Sequence, residues 1–158
     1  MARVRVIGCG NPDAGDDAAG LLVAGALRDR VPGGVDVVLA GPAVRVLELL
    51  DGVDIAIVVD AVRSPTGARA PGTLVRAEAG PDGLPAELRN SLSTHGFGLA
   101  EAVGLAAAVG TAPRVVFHGV EADDVRIGAP PSSPVAAALP GLEAAVLADV
   151  AEAASFAR

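Results

Sequence analysis

The sequence lacks several residue types, and each absence excludes a class of protein. It contains no lysine, tryptophan or tyrosine, and its one cysteine is Cys9. A single cysteine excludes an intrachain disulfide framework and any Cys-x-x-Cys metal or redox site. The absence of lysine excludes the phosphate-binding P-loop, whose lysine contacts the phosphates of a nucleotide. Because three phenylalanines are the only aromatic residues, stacking on bases or sugars is not a favoured binding mode.

The charge balance argues against nucleic acid as a partner. The formal net charge is −7, and the twelve basic residues, all arginines, form no cluster. Proteins that bind a phosphate backbone need a basic patch. The N-terminal pattern is not that of a signal peptide, and four prolines interrupt the longest uncharged stretch, 127–142. We therefore expect a cytoplasmic protein that binds neither nucleic acid nor a membrane.

The order of the apolar segments predicts an α/β fold. The 158 residues, 51% of them apolar, suffice for one domain over residues 1–158. Short β-branched runs alternate with alanine- and leucine-rich segments, which is typical of parallel βαβ units. The predicted strands are 3–7, 35–39, 55–59, 73–77 and 114–117, and the predicted helices are 17–30, 43–50, 95–109 and 134–154, the last interrupted at Pro140-Gly141. No helix-length segment separates the third and fourth strands, so the fourth is expected to be an antiparallel edge strand.

The candidate chemistry gathers where the predicted strands end. In an open parallel sheet, ligands bind outside the carboxyl ends of the strands. Asp17 lies in the acidic turn after the first strand, Asp60 follows the third strand, and His95 begins the third helix. One imidazole and two carboxylates suit a divalent metal such as zinc or nickel. Three protein ligands leave a coordination position open for water or substrate, which is the catalytic arrangement.

The glycine-rich turn at residues 8–17 does not fit a dinucleotide. The G-x-G-x-x-G fingerprint requires a glycine where Asp13 stands, and Asp13, Asp16 and Asp17 would repel a pyrophosphate. The chain also has no G-x-S-x-G nucleophile elbow. An acidic turn of this kind attracts a cation.

Each candidate residue also has a structural interpretation. Asp16 is the natural N-cap of the first helix, and Asp17 would complement the dipole of that helix. Asp60 would begin a turn, and His95 would be a hydrogen-bonded residue at a helix start. A carboxylate directly after a central strand is nonetheless an unusual place for a purely structural charge. Both interpretations stay open for these four residues.

Five further residues are placed by the same reasoning. Cys9 is expected to be a buried, unreactive small apolar residue. His118 is expected to be packed or at the surface, and Glu121 to stand behind the site residues. Asp13 is either solvated or a spare ligand. Glu101 is expected to be solvated, well inside its helix and away from the apolar stripe.

Four motifs, in order, resemble those of the hydrogenase maturation proteases. They are Gly8-x-Gly10-Asn11 with Asp16-Asp17-x-x-Gly20, Val58-Val59-Asp60-Ala61-Val62 followed by Pro71-Gly72-Thr73, Ser93-Thr94-His95-Gly96-Phe97-Gly98-Leu99-Ala100-Glu101, and Gly119-Val120-Glu121. Each motif alone is a weak signal. Their shared order and spacing over essentially the whole chain make the resemblance specific.

The resemblance implies a fold and an activity. The fold implied is a three-layer α/β/α sandwich around a twisted, mostly parallel five-stranded sheet, of the phosphorylase/hydrolase-like, maturation-protease type. The activity implied is that of a metal-dependent endopeptidase. Such enzymes remove a C-terminal extension from the precursor of the [NiFe] hydrogenase large subunit once the nickel-iron centre is loaded.

The resemblance also assigns the site residues. The metal-site positions of the family fall on Asp17, Asp60 and His95, and Asp17 stands where the family has glutamate. The metal implied is nickel, either carried by the substrate or bound at the site, with zinc or cadmium as substitutes. Asp16 is a candidate general base by proximity alone. Asp13 occupies a position where the family has an apolar residue.

Two other functions remain open from the sequence. A non-catalytic, nickel-dependent chaperone of the large subunit would need the same three ligands. A peptidase of the same fold acting on another substrate would also use the two acidic motifs, although the Ser93-Thr94-His95-Gly96 segment favours the maturation enzymes. From its size we expect a monomer.

Overall fold

A five-stranded sheet organises the chain. The computed structural model describes residues 2–42, 45–92, 98–110 and 112–156. The strands are β1 (Val4–Cys9), β2 (Val35–Gly41), β3 (Ile55–Val62), β4 (Leu74–Glu78) and β5 (Arg114–Glu121), in the spatial order β2-β1-β3-β5-β4. β1 pairs in parallel with β2 and β3, and β3 with β5, whereas β4 is antiparallel to β5. The expected mostly parallel sheet with an antiparallel fourth strand at its edge is confirmed.

Helices cover both faces of the sheet. A 3-10 helix (Gly15–Ala18) leads into α1 (Ala19–Leu27), and the other helices are α2 (Val46–Leu49), α3 (Ala86–Arg89), α4 (Leu99–Ala108) and α5 (Ser133–Phe156). Buried side chains of α1 and α5 form one core with the sheet. Those of α2, α3 and α4 form a second core on the opposite face. The three-layer α/β/α architecture is therefore confirmed.

The central strand, β3, is apolar at successive positions because both of its faces are buried. In β3, Ala56 and Val58 belong to the core beneath α2 and α4. Ile55, Ile57 and Val59 belong to the core beneath α1 and α5. A parallel strand buried on both faces must present apolar side chains at every position.

The strands run further than their apolar stretches indicated. Asp60 lies inside β3, paired with Gly119, and not after the strand as predicted. His118 and Glu121 likewise lie inside β5. The ladder continues because backbone groups pair whatever side chains they carry. Asp60 still follows Val59, the last β3 residue paired with β1, so it stands at the carboxyl edge of the central strands.

The predicted helices differ from the observed ones at their ends, and the helix predicted over 43–50 is Val46–Leu49 in the described residues. The helix predicted over 17–30 begins as a 3-10 turn and is α-helical only over Ala19–Leu27. The helix predicted over 95–109 is Leu99–Ala108 in the described residues. In the segment after β4, where the sequence indicated no helix, Ala86–Arg89 forms a single helical turn.

The last helix is continuous through its proline, contrary to the predicted interruption. α5 runs over Ser133–Phe156 with Pro140 inside it. Proline removes the amide that would donate to the carbonyl of Ala136. Both residues lie on the exposed side of the helix, so that carbonyl is accessible to water.

By length and composition, α5 also passes the test for a membrane-spanning helix. Val135, Leu142, Val146 and Val150 on its inner side are buried in the core beneath the sheet. The core helix of a globular protein passes the same test, so this is weak evidence for a membrane segment.

Candidate active site

A cavity of about 690 Å³ opens at the carboxyl edge of the sheet. Its walls come from the glycine-rich turn, the ends of β2 and β3, the segment after α3, and the segment 122–132 between β5 and α5. The lining residues are Gly10, Asn11, Pro12, Asp17, Gly41, Pro42, Asp60, Ala61, Val62, Arg63, Asn90, Ser91, Leu92, Ala122, Val125 and Ile127. This is the position at which an open parallel sheet binds its ligands.

Two glycines allow the acidic turn to pack directly on the strand ends. Gly10 has φ +133°, and a Cβ there would lie 1.8 Å from the carbonyl oxygen of Asp17. A Cβ on Gly20 would lie 2.3 Å from the carbonyl oxygen of Val59 and 2.4 Å from that of Cys9. Only glycine tolerates such approaches. The close packing brings Asp17 to the same cavity as the carboxyl end of β3.

Among the residues that the structure describes, few hydrogen-bond donors reach Asp17 and Asp60. Asp17 Oδ2 accepts from the amide of Asn11 at 3.1 Å, and Asp60 Oδ1 accepts from the amide of Ala61 at 2.8 Å. Burial raises the pKa of Asp17. Burial, together with the negative charge of Asp17, raises the pKa of Asp60 to about 8. A carboxylate pair of this kind is stabilised by a proton or by a cation, so these donors fit a divalent ion.

The predicted third ligand, His95, lies outside the described residues. Among the residues that the structure does describe, no group of three or more His, Cys, Asp or Glu side chains is placed to hold a metal. Ser91 and Leu92, which line the cavity, precede His95 by only a few positions in the sequence. The role of His95 stays a prediction.

Asp16 is not the helix N-cap that its position indicated. It is the second residue of the 3-10 helix, and neither that helix nor α1 has a side-chain cap. Its buried carboxylate accepts from the amides of Asp123, Asp124 and Ser132, and from the Ser132 hydroxyl. Although burial opposes the effect, these hydrogen bonds lower the pKa of Asp16. Asp16 is not among the residues that line the cavity.

The structure also places the other candidates. Cys9 is buried, as expected, and burial raises the pKa of its thiol. His118 is packed beneath α5, with its Nε2 2.5 Å from Oδ2 of Asp149. Asp13 is exposed. Glu101 is exposed, as expected. It lies in the first turn of α4 and not well inside the helix, and its Oε2 accepts from the Gly98 amide at 3.0 Å.

Glu121 connects the end of β5 to the cavity wall. Its Oε1 accepts from the amide and the hydroxyl of Ser64, each at 2.7 Å. Its Oε2 accepts from Nε of Arg69 at 3.0 Å, and Nη2 of Arg69 donates to Oγ of Ser91 at 2.7 Å. Glu121 thus stands behind the site, as expected. Ser64 and Arg69 carried no sequence signal, because they lie in a loop rich in glycine and proline.

The cavity is suited to an extended peptide. Leu92, Val125 and Ile127 give its walls apolar patches, and Arg63 is the one basic residue among the described residues that line it. A pair of carboxylates beside an apolar groove can hold a divalent ion next to a bound chain. Such an ion would polarise a peptide carbonyl or activate a water molecule.

The fold is shared with solved peptidases. The hydrogenase maturating endopeptidase HybD from E. coli has a TM-score of 0.81 and 27% identity, over 95% of this chain and 93% of that chain. The maturation protease HycI from Thermococcus kodakarensis has a TM-score of 0.70 and 26% identity, over 93% of each chain. The hydrogenase 2 maturation peptidase from a Thaumarchaeota archaeon also has a TM-score of 0.70 and 26% identity, over 94% and 98%.

The fold and the comparisons together define a peptidase built on the three-layer α/β/α architecture. The profile of the family described as HycI, hydrogenase maturation protease, matches residues 24–149. The chain therefore belongs to the hydrogenase maturation protease family. No curated protein sequence is similar enough to count as a match.

Proposed function

We propose that this peptidase is a metal-dependent endopeptidase that removes the C-terminal extension from the nickel-loaded precursor of a [NiFe] hydrogenase large subunit. Family membership supports the hydrogenase precursor as the substrate. The observation that carries the metal dependence is the pair Asp17 and Asp60 in one cavity, where each carboxylate accepts one backbone hydrogen bond from the described part of the chain. The enzyme would act as a cytoplasmic monomer.

The acidic residues of the cavity would bind the metal ion. Asp17 and Asp60, with His95 as the predicted third ligand, would hold the nickel of the precursor or a bound divalent ion. That ion would supply Lewis-acid polarisation of the scissile carbonyl. Asp60 must be deprotonated to act as a ligand, and its pKa near 8 makes this step dependent on pH.

The walls of the cavity would position the peptide. Leu92, Val125 and Ile127 offer apolar contacts along the groove, and they exclude water from the peptide bound there. Fixing the scissile bond beside Asp17 and Asp60 is itself a large part of catalysis, because it removes the entropic cost of bringing the groups together. No basic patch is needed for such a substrate, so the net charge of −7 is compatible with it.

Intact-mass spectrometry of a precursor tests the proposal. The purified protein is mixed with nickel-loaded large-subunit precursor or with the same precursor free of nickel. Loss of a C-terminal peptide from the nickel-loaded form alone is the expected result. Asp17→Asn, Asp60→Asn and His95→Ala should each abolish cleavage, whereas Asp13→Asn, an exposed change in the same turn, should not.

The same experiment separates the alternatives. Stable binding of the precursor without a change in its mass would indicate a nickel-dependent chaperone. Full processing by the His95→Ala variant would overturn the proposed ligand set. Neither binding nor cleavage of any hydrogenase precursor would indicate a peptidase with another substrate.

A further inference from the structure

The Asp16 side chain joins two segments that are far apart in the sequence. It is completely buried, and its Oδ2 accepts from the amides of Asp123 and Asp124 at 2.8 and 2.9 Å. The Ser132 hydroxyl donates to the same oxygen at 2.7 Å, and the Ser132 amide donates to Oδ1 at 2.6 Å. One carboxylate thus collects four donors from both ends of the segment 122–132.

The backbone of the acidic turn reinforces this contact. The amide of Asp16 donates to the carbonyl of Asp124 at 2.7 Å, and that of Gly15 donates to Ala129 at 3.1 Å. In the opposite direction, the amide of Gly128 donates to the carbonyl of Asp13 at 2.6 Å. The turn and the segment 122–132 are therefore bonded along most of their length.

The segment held in this way forms one wall of the cavity. Val125 and Ile127 both line it. Ile127 is 75% exposed, so burial of its own side chain does little to hold it in place. Its position therefore depends on the hydrogen bonds of the segment, which are the backbone bonds to the acidic turn and the four bonds that the Asp16 carboxylate accepts.

We propose that Asp16 is a positioning residue that sets the peptide-binding wall of the cavity through the segment 122–132. This inference rests on the proposed function, since it assigns the wall to the peptide of the precursor. Asp16 and Asp17 then have separate tasks. Asp17 faces the cavity and its ligand, whereas Asp16 holds the wall and touches neither substrate nor metal.

The hydrogen bonds explain why this position requires a carboxylate. All four partners are donors, and both oxygens of an ionised carboxylate accept. The amide group of asparagine would direct an N–H donor at one or more of these partners. Charge-assisted bonds to backbone amides are also stronger than neutral ones, so the substitution weakens the bonds that remain.

Amide hydrogen exchange and steady-state kinetics on Asp16→Asn test the inference. In the free enzyme, we expect exchange of the peptides covering 122–132 to accelerate at least about tenfold. The KM for the nickel-loaded precursor should rise about tenfold, while kcat and the affinity for Zn²⁺ alone stay within about twofold. Asp13→Asn is the matched control, and none of these quantities should change in it.

Ser132→Ala provides a second, milder variant in case Asp16→Asn does not fold. It removes one of the four donors, so exchange of 122–132 and the KM should each increase about threefold. Unchanged exchange in this variant would overturn the inference. A loss of kcat in Asp16→Asn with unchanged exchange and KM would also overturn it, because Asp16 would then act in the chemistry.

The exchange measurement does not need a substrate. If the wild-type enzyme processes no hydrogenase precursor, the proposed function fails, and exchange in the free variants still decides whether Asp16 holds the segment.

Discussion

Asp17 and Asp60 face the same cavity, and the negative charge of Asp17 is one reason why the pKa of Asp60 is raised to about 8. The two residues are 43 positions apart in the chain and reach this edge of the sheet on different elements. Active sites commonly hold charges in arrangements that reduce the stability of the fold. This pair of carboxylates should therefore affect both the free energy of unfolding and the affinity for a divalent ion.

Asp60→Asn should stabilise the metal-free protein above acidic pH. The folded-state pKa of Asp60 is raised from 3.8 to about 8. Its protonated form therefore favours folding, and this contribution is fully present below pH 3.8 and lost as the pH rises through about 8. Asparagine does not ionise, so the free energy of unfolding of the variant should exceed that of the wild type by about 1–2 kcal/mol at pH 9. Denaturant unfolding at pH 4, 7 and 9 measures it, and a difference that does not grow with pH would contradict the prediction.

The affinity of the site for Zn²⁺ or Ni²⁺ should rise with pH. Binding requires deprotonated Asp60, so the ion must displace a proton at any pH below about 8. Between pH 6.5 and 8, the association constant should increase up to about tenfold per unit, and it should then level off. Competition with a metal indicator dye measures the affinity. Asp60→Asn should show weak binding without this pH dependence, and Asp13→Asn should behave as the wild type.

Glu121→Gln should destabilise the protein far more than the loss of an exposed ion pair. Glu121 is 3% exposed and bonds to both Ser64 and Arg69. An amide group there places a donor against their donors and removes the charge that pairs with Arg69. We expect a loss of about 2–3 kcal/mol in the free energy of unfolding. Arg3→Ala, which breaks an exposed pair with Asp54, should cost less than about 1 kcal/mol. Equal losses in the two variants would contradict this prediction.

The burial of His118 should make the stability of the protein fall on acidification. Burial lowers the pKa of His118, although Asp149 acts in the opposite direction. A lowered pKa means that the contribution to stability is present above pH 6.5 and is lost as the pH falls through the folded-state value. Arg76, which also bonds to Asp149, adds positive charge near the ring. In His118→Gln, the decline below pH 6.5 should be shallower, by at most about 1.4 kcal/mol per pH unit. Thermal unfolding between pH 5 and 8 tests it, and identical slopes in both proteins would contradict it.

The mostly parallel sheet could be predicted because its signals are local. Two β-branched runs separated by a helical segment indicate parallel strands, because the helix supplies the crossover that parallel pairing needs. β4 follows β3 without such a helix, which indicates an antiparallel strand at the edge of the sheet. The same topology brings the carboxyl ends of the strands together, which is why Asp17 and Asp60 could be expected at one edge. The ends of the elements were less predictable. β3 continues past its apolar run to Asp60 because its ladder with β5 continues.

The sequence by itself determined the fold class, the family and the convergence of the two carboxylates, since these follow from periodicity, spacing and motif order. Only the tertiary structure decided what each carboxylate does. Asp16 and Asp17 are adjacent and chemically identical, yet Asp16 bonds to residues 107 to 116 positions away and Asp17 faces the cavity. Which donors a side chain meets depends on how distant segments dock, and neither residue type nor local spacing contains that information.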